Sequence, residues 1–198
     1  MSMNGVKINK PGKSVQQFHS AQRGISLLDA MIAVVIFSVG MLAIAALQTV
    51  SKQSNYEALQ RSHAASLAYD LFERMRMNPG TLTNYVSSGT ITGQSYPTCT
   101  VDCLPAATAM NDLHEWQKMI LGDAEQTTEG SVGGLVSPTA CIAGTGANGQ
   151  YTLTIVWRGQ AIISNQSSST CGSGTGLYDA SSPDDFAYRR ILTINTYL

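Results

Sequence analysis

One carboxylate, Asp29, stands inside a run of 23 otherwise uncharged and mostly apolar residues, Ile25 to Leu47 (ISLLDAMIAVVIFSVGMLAIAAL). A charge in a membrane helix costs up to ~3 kcal/mol, less near the helix end. Asp29 therefore needs either a cationic partner or a route to the interface. Arg23-Gly24 stands directly ahead of the run. A chain cut after Gly24 begins at Ile25 with a positive amino group, and Asp29 then lies about one helical turn away. In a stacked array of such helices the carboxylate pairs with the amine of a neighbour, and the low dielectric strengthens the pair. The plainer alternative is a carboxylate snorkelling to the membrane surface.

The other residues able to do chemistry are four cysteines, Cys99, Cys103, Cys141 and Cys171. An even count in an exported domain points to disulfides, and four cysteines allow three connectivities. The favoured pairing is Cys99–Cys103 with Cys141–Cys171. The first closes a tight CTVDC ring and the second a loop of about 31 residues, contributing about 2 and roughly 3–4 kcal/mol respectively in the chain-entropy model. Zinc favours closely spaced thiolate pairs with partners. The C-x3-C spacing here, with the other cysteines far apart in Gly/Ser-rich sequence, argues against metal, and no cofactor is expected. His19, His63 and His114 are scattered, so packing or solvated roles are expected, and no catalytic constellation is visible. Asp179, Asp184 and Asp185 are oxygen donors of the type calcium takes, but they lack EF-hand spacing and read as a solvated loop. Asn165-Gln-Ser167 matches a glycosylation sequon, a pattern with many chance occurrences.

These groups need elements to position them. Residues 1–24 carry Lys7, Lys10, Lys13 and Arg23 and no acid; the remainder holds eight Lys/Arg against thirteen Asp/Glu. No basic stripe exists, which excludes the usual footprint of a nucleic-acid partner. The apolar run spans about 35 Å as a helix, enough to cross a bilayer. Positive charge before it places residues 1–24 in the cytoplasm and residues 48–198 outside. Small residues at Ala45-Ala46 keep an ordinary signal-peptide cut open. No proline interrupts residues 25–78, and helical periodicity continues through QTVSKQSNYEALQRSHAASLAYDLFERMRMN. The expected buried stripe is Leu47, Val50, Ser54, Ala58, Ala65, Ala68, Phe72 and Met75, braced by Glu57–Arg61 and Asp70–Arg74. Pro79-Gly80 ends the helix, about 80 Å from its start.

Gly24-Ile25-Ser26-Leu27-Leu28-Asp29 resembles the type III signal of type IV pilins and pseudopilins. The resemblance implies that a prepilin peptidase cuts after Gly24 and methylates Ile25, and that the fifth mature residue guides docking into a fibre. Ile25 stands where Phe is usual, and Asp29 where Glu is usual, one methylene shorter. The segment Glu73-Arg74-Met75-Arg76-Met77-Asn78-Pro79 is similar to the turn closing the spine helix of PilV-type minor pilins. Leu47-Gln48 and, more weakly, the surroundings of Trp116 and Trp157 agree with it. The implied partners are other minor pilins, the major pilin, the prepilin peptidase and an inner-membrane assembly platform. The implied location is the inner membrane with a periplasmic head, then the pilus surface. The implied role is priming of pilus assembly, adhesion and twitching motility.

The sequence thus divides into a leader (1–24), a membrane or assembly helix (25–47), the amphipathic second half of the spine (48–79) and a head (80–198). Residues 80–110 read as loop, and residues 111–121 as a short helix capped by Asp112 and Glu115 and stopped at Gly122. Leu135–Ala143, Tyr151–Trp157 and Ala187–Tyr197 read as strands, with one buried face on the second. Residues 159–186 read as an exposed loop. The expected class is α+β, an antiparallel sheet packed on a long N-terminal helix. Two other functions fit the anchor: a type II secretion pseudopilin, and a single-pass anchored extracytoplasmic enzyme or binding protein. The last gives Gly24 and Asp29 no role.

Overall fold

The computed structural model describes residues 26–86, 90–123, 125–128, 130–144, 149–163, 168–179 and 186–198. They divide into two units, one ending at Ala46 and one comprising Leu47–Leu198. The chain is α+β, with a long N-terminal helix followed by antiparallel sheets. Gly24 and Ile25, together with His19, Asn165, Asp184 and Asp185, lie outside the described residues.

Helix α1 (Leu27–Met77) begins in the first unit and ends in the second. In the first unit every described side chain is exposed, including Leu28, Ile36, Phe37 and Leu42. A helix satisfies its own backbone groups, so such a segment suits hydrocarbon surroundings, where exposed apolar side chains carry no cost. In the second unit burial starts at Gln60 and continues through Ala64, Leu67, Ala68, Leu71, Phe72 and Met75. Of the expected stripe, Ala68, Phe72 and Met75 are buried and the rest is not. Leu47, Val50, Ser54 and Ala58 are exposed and Ala65 is half-buried. The true seam follows 60-64-67-71-75, a strict helical step that the small residues at 58 and 65 masked. The helix stops at Met77 because Asn78 leaves helical geometry (φ −127°, ψ 57°) and Pro79 opens a 3-10 helix, Pro79–Asn84.

The second helix, α2 (Pro105–Leu121), is longer than expected and starts six residues earlier. Pro105 occupies its first turn, where its fixed φ favours a start and its missing N–H is no loss. Asp112 is therefore in mid-helix and is no cap. Gly122 does stop the helix, in the left-handed region at φ 78°. A Cβ on Gly122 would stand 2.1 Å from the Gly134 nitrogen, so the segment after α2 folds back against its end. Leu135 N–H donates to Ile120 O at 3.0 Å there.

A two-residue ribbon, β1 (Gln126–Thr127) with β2 (Gly130–Ser131), has no counterpart in the sequence reading and is too short to show a period. The main sheet is β3 (Thr139–Gly144), β4 (Gln150–Arg158) and β5 (Arg189–Tyr197), antiparallel with β4 central. Register pairs include Ala140 with Ile155 and Leu153 with Ile194. Strand β3 begins after Pro138 rather than at Leu135, since proline cannot donate within a ladder. Tyr151, Leu153, Ile155 and Trp157 join Leu67, Leu71, Phe72, Met75, Leu113, Trp116 and Ile120 in one core. The other face of β4 is also covered: Val156 packs with Cys171 and Tyr178. The segment expected to be an exposed loop thus supplies a lid to the sheet.

Candidate assembly helix and the core of the head

Asp29 lies in the first turn of α1, where a negative charge complements the helix dipole. Its backbone N–H donates to Ser26 O at 2.9 Å, and Ala30 N–H to the same oxygen at 3.2 Å. The exposed apolar side chains of Leu27, Ala30, Met31, Val34 and Val35 line a shallow apolar recess beside it. Helix α1 is long and apolar enough to cross a membrane, with its most apolar window wholly unburied. Among the described residues Asp29 makes no ion pair; the charges nearest it in sequence, Arg23 and the lysines before it, lie outside the described residues.

In the second unit the turn Glu73–Pro79 has a physical explanation. Arg74 Nε donates to Asp70 at 2.8 Å, and its Nη1 reaches Asp112 of α2 at 3.4 Å. Burial alone lowers the Arg74 pKa; the hydrogen bond and charge of Asp70, with Asp112 behind them, raise it above the usual value. Asn78 Nδ2 donates to Pro105 O at 2.8 Å and to Tyr85 Oη at 3.4 Å. Tyr85 Oη in turn donates to Asp112 Oδ2 at 2.5 Å. Burial, then the Asp112 hydrogen bond, push the Tyr85 phenol far above its ordinary pKa. Arg74 and Asn78 thus fasten the end of α1 to α2, while Arg76 pairs outward with Glu73. Trp116 Nε1 completes the joint by donating to Leu67 O at 2.8 Å. Tyr85 was not singled out by sequence, and Asp112 was read only as a cap, because partners 27 residues apart leave no periodic signal.

The Asp70–Arg74 pair forms, whereas Glu57 does not turn to Arg61. Its carboxylate accepts from Arg190 Nε at 2.8 Å, Arg190 Nη2 at 2.9 Å and the Gln160 N–H at 2.9 Å. A bidentate guanidinium is a better partner than a solvated helical neighbour. Arg190 also donates to Ala161 O at 2.9 Å.

The structure joins Cys99 to Cys103 and Cys141 to Cys171, each with Cα atoms 5.9 Å apart. The second bridge binds β3 to the segment over the sheet. Arg189, buried, holds that segment too, donating to Ser169 O at 2.7 Å and Cys171 O at 2.6 Å. Burial lowers its pKa. Half-buried His63 lines a groove of about 680 Å³ with Tyr56, Gln60 and residues 131–138. His114 lies 4.0 Å from Glu115. Among the described residues no group of three His, Cys, Asp or Glu is arranged to hold a metal.

The exposed apolar half of α1 leads, in sequence, into the fastened turn and α2. Residues 46–116, which include that turn and end at Trp116, match the Tt1218-like family model, described as type IV pilin Tt1218. The match supports a type IV pilin. Residues 46–116 hold the buried seam of α1, the 3-10 helix and α2 as far as the indole that bonds back to Leu67. No curated protein and no solved structure matches the chain. A pilin relationship supports a structural subunit that interacts with other pilus components, and the long apolar helix is compatible with membrane anchoring.

Proposed function

We propose that this chain is a minor subunit of a type IV pilus of the PilV type, processed after Gly24 and methylated on Ile25. The observation that carries the reading is an apolar helix that no described residue of its own unit covers, with a single acid in its first turn, in a chain whose residues 46–116 match a pilin family. Residues 25–54 enter a helical bundle in the fibre, where neighbouring helices replace lipid. Asp29 meets the Ile25 amine of an adjacent subunit, and the head is displayed outward. The work is structural rather than catalytic: priming of assembly with other minor pilins and the major pilin, in support of adhesion and twitching. The inner membrane holds the chain before assembly.

Intact mass and N-terminal sequencing of protein taken from a Gram-negative envelope test the processing. A mature chain beginning at Ile25 with one added methyl group supports the proposal. An intact leader, or a cut beyond Ala45, refutes it in favour of an anchored or secreted protein. Gly24→Ala should leave an uncut, membrane-held precursor. Asp29→Ala should be cut normally yet enter sheared fibres at least ~10-fold less than wild type, equivalent to losing ~1.4 kcal/mol of subunit contact. Equal incorporation would remove Asp29 from the assembly contact.

A further inference from the structure

The two disulfides occupy different surroundings. Cys171 is buried in a cluster with Val156 and Tyr178, Cys141 packs against it, and Arg189 holds the Cys171 carbonyl. Cys99 and Cys103 are half-buried and belong to neither core cluster. Their ring closes over only four steps of sequence, and its apolar neighbours Val101 and Leu104 are 76% and 74% exposed. In the chain-entropy model the short ring adds less to folding than the bridge at separation 30. Accessible bridges that fold stability does not protect exchange readily.

The ring also has a direction. Cys103 directly precedes Leu104, the cap residue of the 17-residue α2. Leu104 offers no side-chain acceptor to the first turn, and Pro105 has no N–H. Cys103 thus stands two residues ahead of the first helical residue, Pro105, and negative charge near a helix start is stabilised. Cys99 lies across the ring, its N–H donating to Asn111 Oδ1 at 3.2 Å. Asp102, between them, is exposed, so water screens its opposing charge.

We propose that Cys99–Cys103 is a thiol-exchange site for an external dithiol, small or carried by a partner protein, while Cys141–Cys171 is inert. The dithiol's thiolate attacks Cys99 Sγ, forming a mixed disulfide as the Cys99–Cys103 bond breaks. Cys103 leaves as the thiolate at the α2 start. The dithiol's second thiolate then displaces Cys99. The dithiol is oxidised to its disulfide, and the ring gains two electrons and, on protonation, two protons. Opening it releases residues 99–103 from their closed turn and leaves the core of the head in place.

The test uses the full-length chain in detergent, equilibrated with dithiothreitol at graded ratios of reduced to oxidised reagent. Samples are acid-quenched, alkylated, digested and read by mass spectrometry. Cys99 and Cys103 should become alkylated at a ratio at least ~10-fold lower than Cys141 and Cys171. Fluorescence of Trp116 and Trp157 should be unchanged at that point. Simultaneous reduction of both bridges, or earlier reduction of Cys141–Cys171, overturns the proposal. Glutathione, a single thiol, reads the direction: its transient adduct should sit on Cys99, and an adduct on Cys103 overturns the assigned attack.

Discussion

The pair Glu57–Arg190 joins residues 133 apart in sequence and closes one end of the sheet against α1. Its side chains are 22% and 13% exposed, which places the pair between a surface salt bridge and a buried one. Exposed pairs contribute 0.2–1 kcal/mol, and breaking a fully buried pair costs about 3–5. Glu57 also accepts the Gln160 N–H, so its truncation leaves three N–H donors, two of them on Arg190, to find water. Glu57→Ala should therefore cost about 2–3 kcal/mol, and Glu57→Gln, which keeps one acceptor, about 1–2. Arg190→Met should cost a similar amount, and the double variant should show a coupling of about 1–2 kcal/mol. Arg61→Ala should cost under ~0.5 kcal/mol, since Glu57 turns away from it. The assay is urea unfolding of the oxidised chain followed by tryptophan fluorescence, Trp116 and Trp157 both being buried. A coupling below ~0.3 kcal/mol, or an Arg61→Ala effect equal to that of Arg190→Met, would refute the clamp and restore the local helical pair.

Other predictions concern buried groups. The Tyr178 hydroxyl donates to Ser137 O at 2.9 Å and accepts from the Thr139 hydroxyl at 2.7 Å, and burial pushes its pKa up to about 12. The fold favours the neutral phenol, so this contribution is fully present below about pH 10 and is lost as pH rises toward 12. Urea midpoints should fall over that interval by the equivalent of ~2–3 kcal/mol from this group. Tyr178→Phe should flatten the fall in part, because Tyr85, also raised, contributes on the same side; an unchanged alkaline slope would show that Tyr178 ionises freely. Gly134→Ala places a Cβ 2.4 Å from the Leu121 carbonyl carbon and should cost more than ~2 kcal/mol, measured by the same unfolding assay. A change of under 0.5 kcal/mol would mean that the return of the chain past α2 is not closely packed. Asn78→Ala removes the donor to Pro105 O and should cost about 1–2 kcal/mol with no change in processing at Gly24, read by mass spectrometry.

What could be read from sequence was whatever repeats along it. The apolar run, the end of α1 before Pro79 and the stop at Gly122 are local events, and local rules found them. The strand at 150–158 was legible too, because Tyr151, Leu153, Ile155 and Trp157 alternate. The favoured Cys141–Cys171 pairing forms despite its separation of 30, but three other readings failed where a partner far along the chain decided. Asp112 with Glu115 has the spacing of a capping box, yet Pro105 starts the helix earlier and Asp112 is taken by Tyr85 and Arg74. Glu57 has a cation four residues on, yet Arg190 offers two donors and a drier site. The Ser/Gly-rich stretch around Cys171 has the composition of a surface loop, yet one disulfide, one buried arginine and Tyr178 hold it over Val156. In each case the sequence offered a weak local interaction, and the fold replaced it with a stronger distant one. Asp29 stands on the opposite side of that rule. It has a helix to sit in and no ion pair among the described residues, and on the proposed function its partner is the Ile25 amine of another subunit. That asymmetry, rather than the signal's resemblance alone, is why fibre incorporation of Asp29→Ala is the decisive measurement.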